Sequence, residues 1–181
     1  METFSQEPDQ FKSVMQLEVN GMKITQTVVV NGDKAWINVN GMNIDLDDKL
    51  TKAMKEEAHL HKVARLLDLK KKEYKLSALG EAKVEGQDAV GIQVAAKGHG
   101  AVNLYFSKAS GLLVKTENRA LDYMSMQEVS QEGVLSDYKD TDGLKSPRKV
   151  LINRDGKKFL EMEITEVKLL DKHDESVFAK P

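Results

Sequence analysis

The sequence predicts an α+β, mostly β protein. Its expected architecture is a strongly curved antiparallel sheet of about nine to eleven strands wrapped around one long α-helix, from about Leu46 to Leu67. Three observations lead there. Apolar and polar residues alternate over most of the chain, turn signals recur near Gly86, Gly98, Gly111, Gly133, Gly143 and Gly156, and one stretch alone has helical periodicity. A single helix offers one apolar stripe, whereas a long sheet has a whole apolar face to cover. The sheet must therefore curl around the helix, enclosing either a packed core or a pocket.

Residues 1–10 are polar with a proline and are expected to form a flexible N-terminal segment, followed by one domain over 11–181. Met15, Leu17 and Val19 alternate with polar residues, as do Ile24, Val28 and Val30, and Asn31-Gly32 signals a hairpin into Ala35, Ile37 and Val39. Trp36 faces the other way. Asp45 or Asp47 can cap the helix, and the acidic cluster with Asp48 suits its positive end. Leu46, Leu50, Ala53, Met54, Leu60, Val63, Ala64 and Leu67 form the stripe. Beyond Lys70-Lys71-Lys72 the strands resume, with the segment from Asp122 to Glu132 expected as a longer loop or bent edge. Leu160, Met162 and Ile164 make the clearest strand; the apolar phase then shifts to Val167 and Leu169, which predicts a bulge near Thr165.

Composition narrows the function. Lys plus Arg number 27 against 29 Asp plus Glu, a net charge of −2, so no basic excess exists for nucleic acid. With no cysteine, disulfides, zinc–thiolate sites, iron–sulfur clusters and cysteine nucleophiles are excluded. No apolar run reaches the roughly 18 residues of a membrane span, and the polar start METFSQEPDQ has no signal-peptide pattern. The chain is then either cytoplasmic or the mature part of an exported protein.

Catalytic and metal patterns are weak. His59 and His61 project about 200° apart on a helix and cannot share one ion. His99 lies in a glycine turn and His173 near the C-terminus. Gly98-His99-Gly100 lacks a βαβ context, and there is no nucleophile elbow. No metal or cofactor is expected. Glu57 and His61 fall inside the helix stripe one turn apart, either as a polar pair facing a cavity or as a pair at the stripe's edge. The eight methionines, Met15, Met22, Met42, Met54 and Met162 among them, suit an adaptable pocket or simply fill a core.

The C-terminal third carries a resemblance. Tyr138, the Asp142-Gly143 turn, Pro147, the strand–turn–strand over Lys149 to Ile164 and the closing Val177-Phe178-Ala179-Lys180-Pro181 resemble the end of bacterial outer-membrane lipoprotein-sorting proteins, the LolA/LolB-like superfamily. The segment LYFSKASGLLVKTE, Leu104 to Glu117, is similar to a hairpin of theirs. Together they span about a third of the chain. The resemblance implies an unclosed half-barrel, an envelope or periplasmic location and a hydrophobic cavity for acyl chains. The basic residue with which these carriers hold their cargo maps onto no motif here, so none is carried over.

The leading expectation is non-enzymatic binding or carrying of a lipid, lipoprotein acyl chain or other apolar ligand by a monomer. The cavity would be lined by Leu17, Val19, Ile24, Val28, Ile37, Leu50, Met54 and Leu60, which replace water at about 0.8 kcal/mol per buried methylene. The alternative is a structural or protein-interaction domain with a filled core. An apolar void of roughly 300 Å³ or more between helix and sheet separates the two.

Overall fold

In a computed structural model, which describes residues 1–19, 21–67 and 69–181 and of Val19 the backbone alone, the strands assemble into two antiparallel, unclosed sheets, not one. The chain divides into two compact units, residues 1–62 with 170–181 and residues 63–169.

The first unit holds a five-stranded meander of β1 (Glu2–Gln6), β2 (Gln10–Val19), β3 (Met22–Asn31), β4 (Lys34–Val39) and β5 (Met42–Ile44). Residues expected to be flexible thus include a strand, β1, paired with β2 from Glu2–Val14 to Gln6–Gln10. The hairpin loop after β3 is Gly32-Asp33, with φ of 58° at Gly32, while Asn31 stays in the ladder opposite Lys34. Its side chain explains the shift, because it belongs to a row of amides. Gln6 Nε2 donates to Gln10 Oε1 (2.8 Å), Gln10 Nε2 to Asn31 Oδ1 (3.3 Å), and Asn31 Nδ2 to the Phe178 carbonyl (3.2 Å).

That row ties the C-terminal segment to the sheet. The His173 N–H donates to Gln6 Oε1 at 2.7 Å, and the His173 ring meets Phe4 and Phe178 edge-on at 5.8 and 5.6 Å. The short 3₁₀ turn η1 (Glu175–Phe178), capped by Asp174, packs on β2 and β3 with Phe178 fully buried.

The helix α1 (Asp48–Ala64) is shorter than the apolar pattern suggests. Asp47 Oδ1 accepts from the Leu50 N–H at 2.7 Å and sets its start. Leu66, with φ of 64°, lies past its end. Leu46 and Leu67 extend the stripe in sequence but lie outside the helix. On the sheet, Met54 joins Phe11, Val28 and Val30 in a buried cluster, with Ala35, Ile37, Leu46 and Ala58 against it.

The second unit is a seven-stranded meander: β6 (Tyr74–Val84), β7 (Gln87–Ala96), β8 (Val102–Ser107), β9 (Leu113–Asp122), β10 (Gln127–Thr141), β11 (Leu144–Arg154) and β12 (Lys157–Glu163). Two-residue turns at Asp142-Gly143 and Asp155-Gly156 hold positive φ at both positions, as the strands' twist requires. The segment read as a loop, Asp122 to Glu132, is a hairpin. Its solvated ladder lacks the apolar alternation that marks a half-buried strand. Near the end of the chain, β12 stops at Glu163, and the irregularity falls instead at Ile152/Asn153 of β11. The apolar phase shift ends the pairing rather than bulging it.

Two packing sites yield predictions. A Cβ on Gly91 would sit 2.9 Å from Tyr105 Cε1 and 3.1 Å from Leu79 Cβ. Gly91→Ala is therefore expected to lower the urea midpoint by the equivalent of about 1–3 kcal/mol at constant m. Phe178→Ala is expected to cost about 3–5 kcal/mol in the same measurement, because it empties the site under η1.

Candidate hydrophobic ligand site

Register places the expected cavity residues. Directly opposed residues in an antiparallel sheet share a face, so Phe11, Val30 and Ala35 form one row across β2, β3 and β4. Val28, Ile37 and Ile44 form the next, Met15, Val39 and Met42 a third, and Leu17 with Ile24 a fourth. The helix cluster occupies the first rows. Val28 and Met54 are buried in it and Ile37 packs against it.

Toward the β2–β3 and β4–β5 turns the same face emerges into solvent. Leu17 is 46% exposed, Ile44 45%, Met22 65% and Met42 67%. Ile24 is half-buried beside Leu17. Leu50 and Leu60 are half-buried on the helix and are not among the residues described in the cluster. The side chain of Val19 lies outside the described residues. Val28, Ile37 and Met54 thus lie in or against the core, and the same sheet face continues through Leu17 and Ile24 to an exposed apolar patch with the flexible thioethers of Met22 and Met42 at its rim. The signal that separates the two ends is the helix length, which the apolar pattern overstated.

Of the polar pair, Glu57 is exposed, and His61 stacks on Phe11 with ring centroids 4.7 Å apart and 26° between planes. Below it, Lys62 Nζ reaches Asp9 Oδ1 at 2.9 Å and Glu7 Oε2 at 3.6 Å, pinning the helix end to the β1–β2 turn. Loss of water on the Phe11 side lowers the His61 pKa. The residue as a whole stays exposed on its other side.

The second unit holds a cavity of about 220 Å³ lined by Glu85, Val134, Ser136, Lys149, Leu151 and Glu161, among others. It is smaller than the roughly 300 Å³ typical of ligand pockets, and Glu85, Lys149 and Glu161 stand among otherwise uncharged lining residues. A polar cluster crosses the same sheet. Gln93 Nε2 donates to Asn103 Oδ1 (3.1 Å), Asn103 Nδ2 to Glu117 Oε2 (3.1 Å), and Tyr105 OH to the same oxygen (2.8 Å), while Lys115 pairs with Glu117 at 2.5 Å. Desolvation and the Glu117 hydrogen bond push the Tyr105 pKa up to about 12. Burial alone would raise that of Glu117, but hydrogen bonds from Lys115, Asn103 and Tyr105 outweigh it and hold the carboxyl below its usual range. A saturated carboxylate and a tyrosine kept protonated are poor proton-transfer groups near neutral pH; the cluster binds strand to strand.

The geometry defines a class: a mostly-β protein with two open antiparallel sheets, a single α-helix among the described residues laid on the first, and an apolar strip leaving the helix. No helix among the described residues is long and apolar enough to cross a membrane. No protein-family model matches the chain, and no curated protein does. Among solved structures it is similar to a LolA superfamily protein from Nitrosomonas europaea, with a TM-score of 0.53 at 12% identity over 98% of this chain and 86% of that one. It is also similar to a putative outer-membrane lipoprotein-sorting protein domain from Vibrio parahaemolyticus, with a TM-score of 0.50 at 16% identity over 93% and 81%. At these identities the likeness is one of fold. The chain has a LolA-like fold, and the structural likeness covers nearly its whole length.

The His61 stack sets a pH dependence. Its folded-state pKa lies below the unfolded value near 6.5, so the unfolded chain binds the proton first and stability falls as pH drops through 6.5 towards about 4. His61→Phe is expected to remove that part of the acid sensitivity, read as the difference in urea midpoint between pH 7 and pH 5 for variant and wild type.

Proposed function

We propose that this protein is a non-enzymatic binder or carrier of a lipid acyl chain or similar apolar ligand in the bacterial cell envelope, related to lipoprotein sorting. The observation that carries the proposal is the exposed strip of Leu17, Met22, Ile24, Met42 and Ile44, continuous in register with the core under α1. Fully burying such a side chain is worth roughly 1.5–3 kcal/mol. These are already half-covered, so about half that range per residue remains for a ligand to gain. The likeness of fold to a LolA superfamily protein and to a lipoprotein-sorting domain supports the same reading, as does the proton-silent polar cluster around Glu117.

The finer reading belongs to the same proposal: strongly curved sheets in a protein that acts as a monomer in the periplasm. Curvature is supported within the second unit, where Glu85 at the β6–β7 turn lines the same cavity as Val134 of β10, Leu151 of β11 and Glu161 of β12.

A second reading has its own observation. Phe11, Val30, Val28 and Met54 form a buried cluster under the helix, which favours a protein-interaction domain with a filled core. Displacement of a fluorescent fatty acid decides between them. Wild type is expected to bind it, and Leu17→Glu combined with Met42→Glu to weaken binding at least about tenfold while the melting temperature holds, because both sites are exposed. Absence of acyl-chain binding by the wild type would favour the interaction domain. Equal binding by the variant would reject this strip as the site.

A further inference from the structure

One face of β11 changes character along the strand. Ile152 and Val150 lie on it, opposite Gly133 and Leu135, and the next residues of the same face are Arg148, Ser146 and Leu144. Across the ladder Ser146 opposes Lys139 and Leu144 opposes Thr141, so the turn end of this face gathers Arg148, Ser146, Lys139 and Thr141. Arg148 is anchored at both ends. Its carbonyl accepts from the Ile164 N–H at 2.7 Å, and its Nη2 donates to Thr141 Oγ1 at 2.9 Å. Thr141 stands opposite Leu144, four residues nearer the turn than Arg148. To reach it the side chain runs along the strand and lays its guanidinium over Ser146, midway between.

Donors are left over at this place. Arg148 Nε and Nη1 are buried without a hydrogen-bond partner, and so is Ser146 Oγ. A buried donor left unpaired costs about 1–3 kcal/mol, and more when it is charged. The hydroxyl is able to accept from the guanidinium beside it, yet that bond is not made, so neither group completes the other. Arginine keeps its charge at any pH the fold meets. Among the described residues neither Arg148 nor Lys139 makes an ion pair.

The carboxylates around the site are engaged or turned away. Asp140 opposes Lys145 on the other face and accepts from the Gly143 N–H at 2.9 Å. Glu163 opposes Lys149, also on the other face, and Glu166 pairs with Lys168 at 3.2 Å. Asp142 lies in the turn, and Asp137 holds a left-handed position in β10 with φ of 52°; both are exposed and neither pairs with Arg148. Two cations and the orphaned donors on one face call for an acceptor carrying about two negative charges. A phosphate group supplies that at neutral pH, whereas a water molecule leaves the charge unmet. Lys139 and Leu144 stand exposed at the rim, and exposed side chains change rotamer within nanoseconds, so entry leaves the ladder intact.

We propose that Arg148, Ser146 and Lys139 form a binding site for a phosphate group, with Arg148 Nε and Nη1 and Ser146 Oγ donating to its oxygens and Lys139 closing over it. The site lies within the second unit and does not depend on the acyl-chain reading of the first. Titration of the full chain with inorganic phosphate at constant ionic strength, followed at the Arg148 Nε–H and Ser146 backbone N–H resonances, tests it. Both are expected to shift saturably. Arg148→Met, read at the Ser146 N–H, and Ser146→Ala, read at Arg148 Nε–H, should each need at least about tenfold more phosphate, since a hydrogen bond to a charged group is worth more than that factor. A short-chain phosphatidic acid, kept below its micelle concentration, separates two sources of the same chemistry. Half-saturation at least about tenfold below that of inorganic phosphate assigns the site to a lipid headgroup, and equal half-saturation assigns it to free phosphate. Wild-type resonances that move with neither ligand overturn the proposal, as does an Arg148→Met variant that binds phosphate like wild type.

Discussion

A helix of 17 residues is about 26 Å long and one stripe wide, and that limit governs the first unit. The apolar face of β2 to β5 runs through four rows, from Phe11–Val30–Ala35 to Leu17–Ile24. Met54 and Ala58 close the rows nearest Phe11, and in the rows beyond exposure rises from half-buried Met15, Val39 and Ile24 to exposed Leu17 and Met42. Tight packing at one end and an apolar exit at the other follow from the same mismatch between a short rod and a broad sheet.

The opposite face of that sheet is closed differently. The amide row Gln6–Gln10–Asn31 turns strand edges into acceptors and donors for the last residues of the chain, and Phe178 fills the space between. Burying these amides is tolerable because each is paired. One face is thus fixed by polar bonds and an aromatic plug, which leaves the helix face as the one with apolar surface to spare.

Much of this was legible in the residues, and the failures have physical causes. Alternation and glycine turns gave the strands and most hairpins, since a half-buried antiparallel strand writes its period into the sequence. The helix overran at both ends because apolar Leu46 and Leu67 continue the stripe, while the cap at Asp47 and the left-handed Leu66 set the boundaries. Residues 1–10 look loose because an edge strand whose one apolar residue is Phe4 carries no alternation; its hydrogen bonds to β2 hold it. The division into two sheets was invisible, since strand alternation says which residues share a face but not where pairing stops. Val28, Ile37 and Met54 meet in the buried cluster under the helix. Leu17 and Ile24 belong to the same face, but their exposure depends on how far the helix reaches.

The central claim is that the uncovered end of this face, and not the small cavity of the other unit, receives an apolar chain. Intermolecular nuclear Overhauser effects between a bound fatty acid and the protein's methyl groups test it most directly. The account predicts contacts to the methyls of Leu17, Met22, Ile24, Met42 and Ile44. Contacts confined to Val134 and Leu151, which line that cavity, would contradict it.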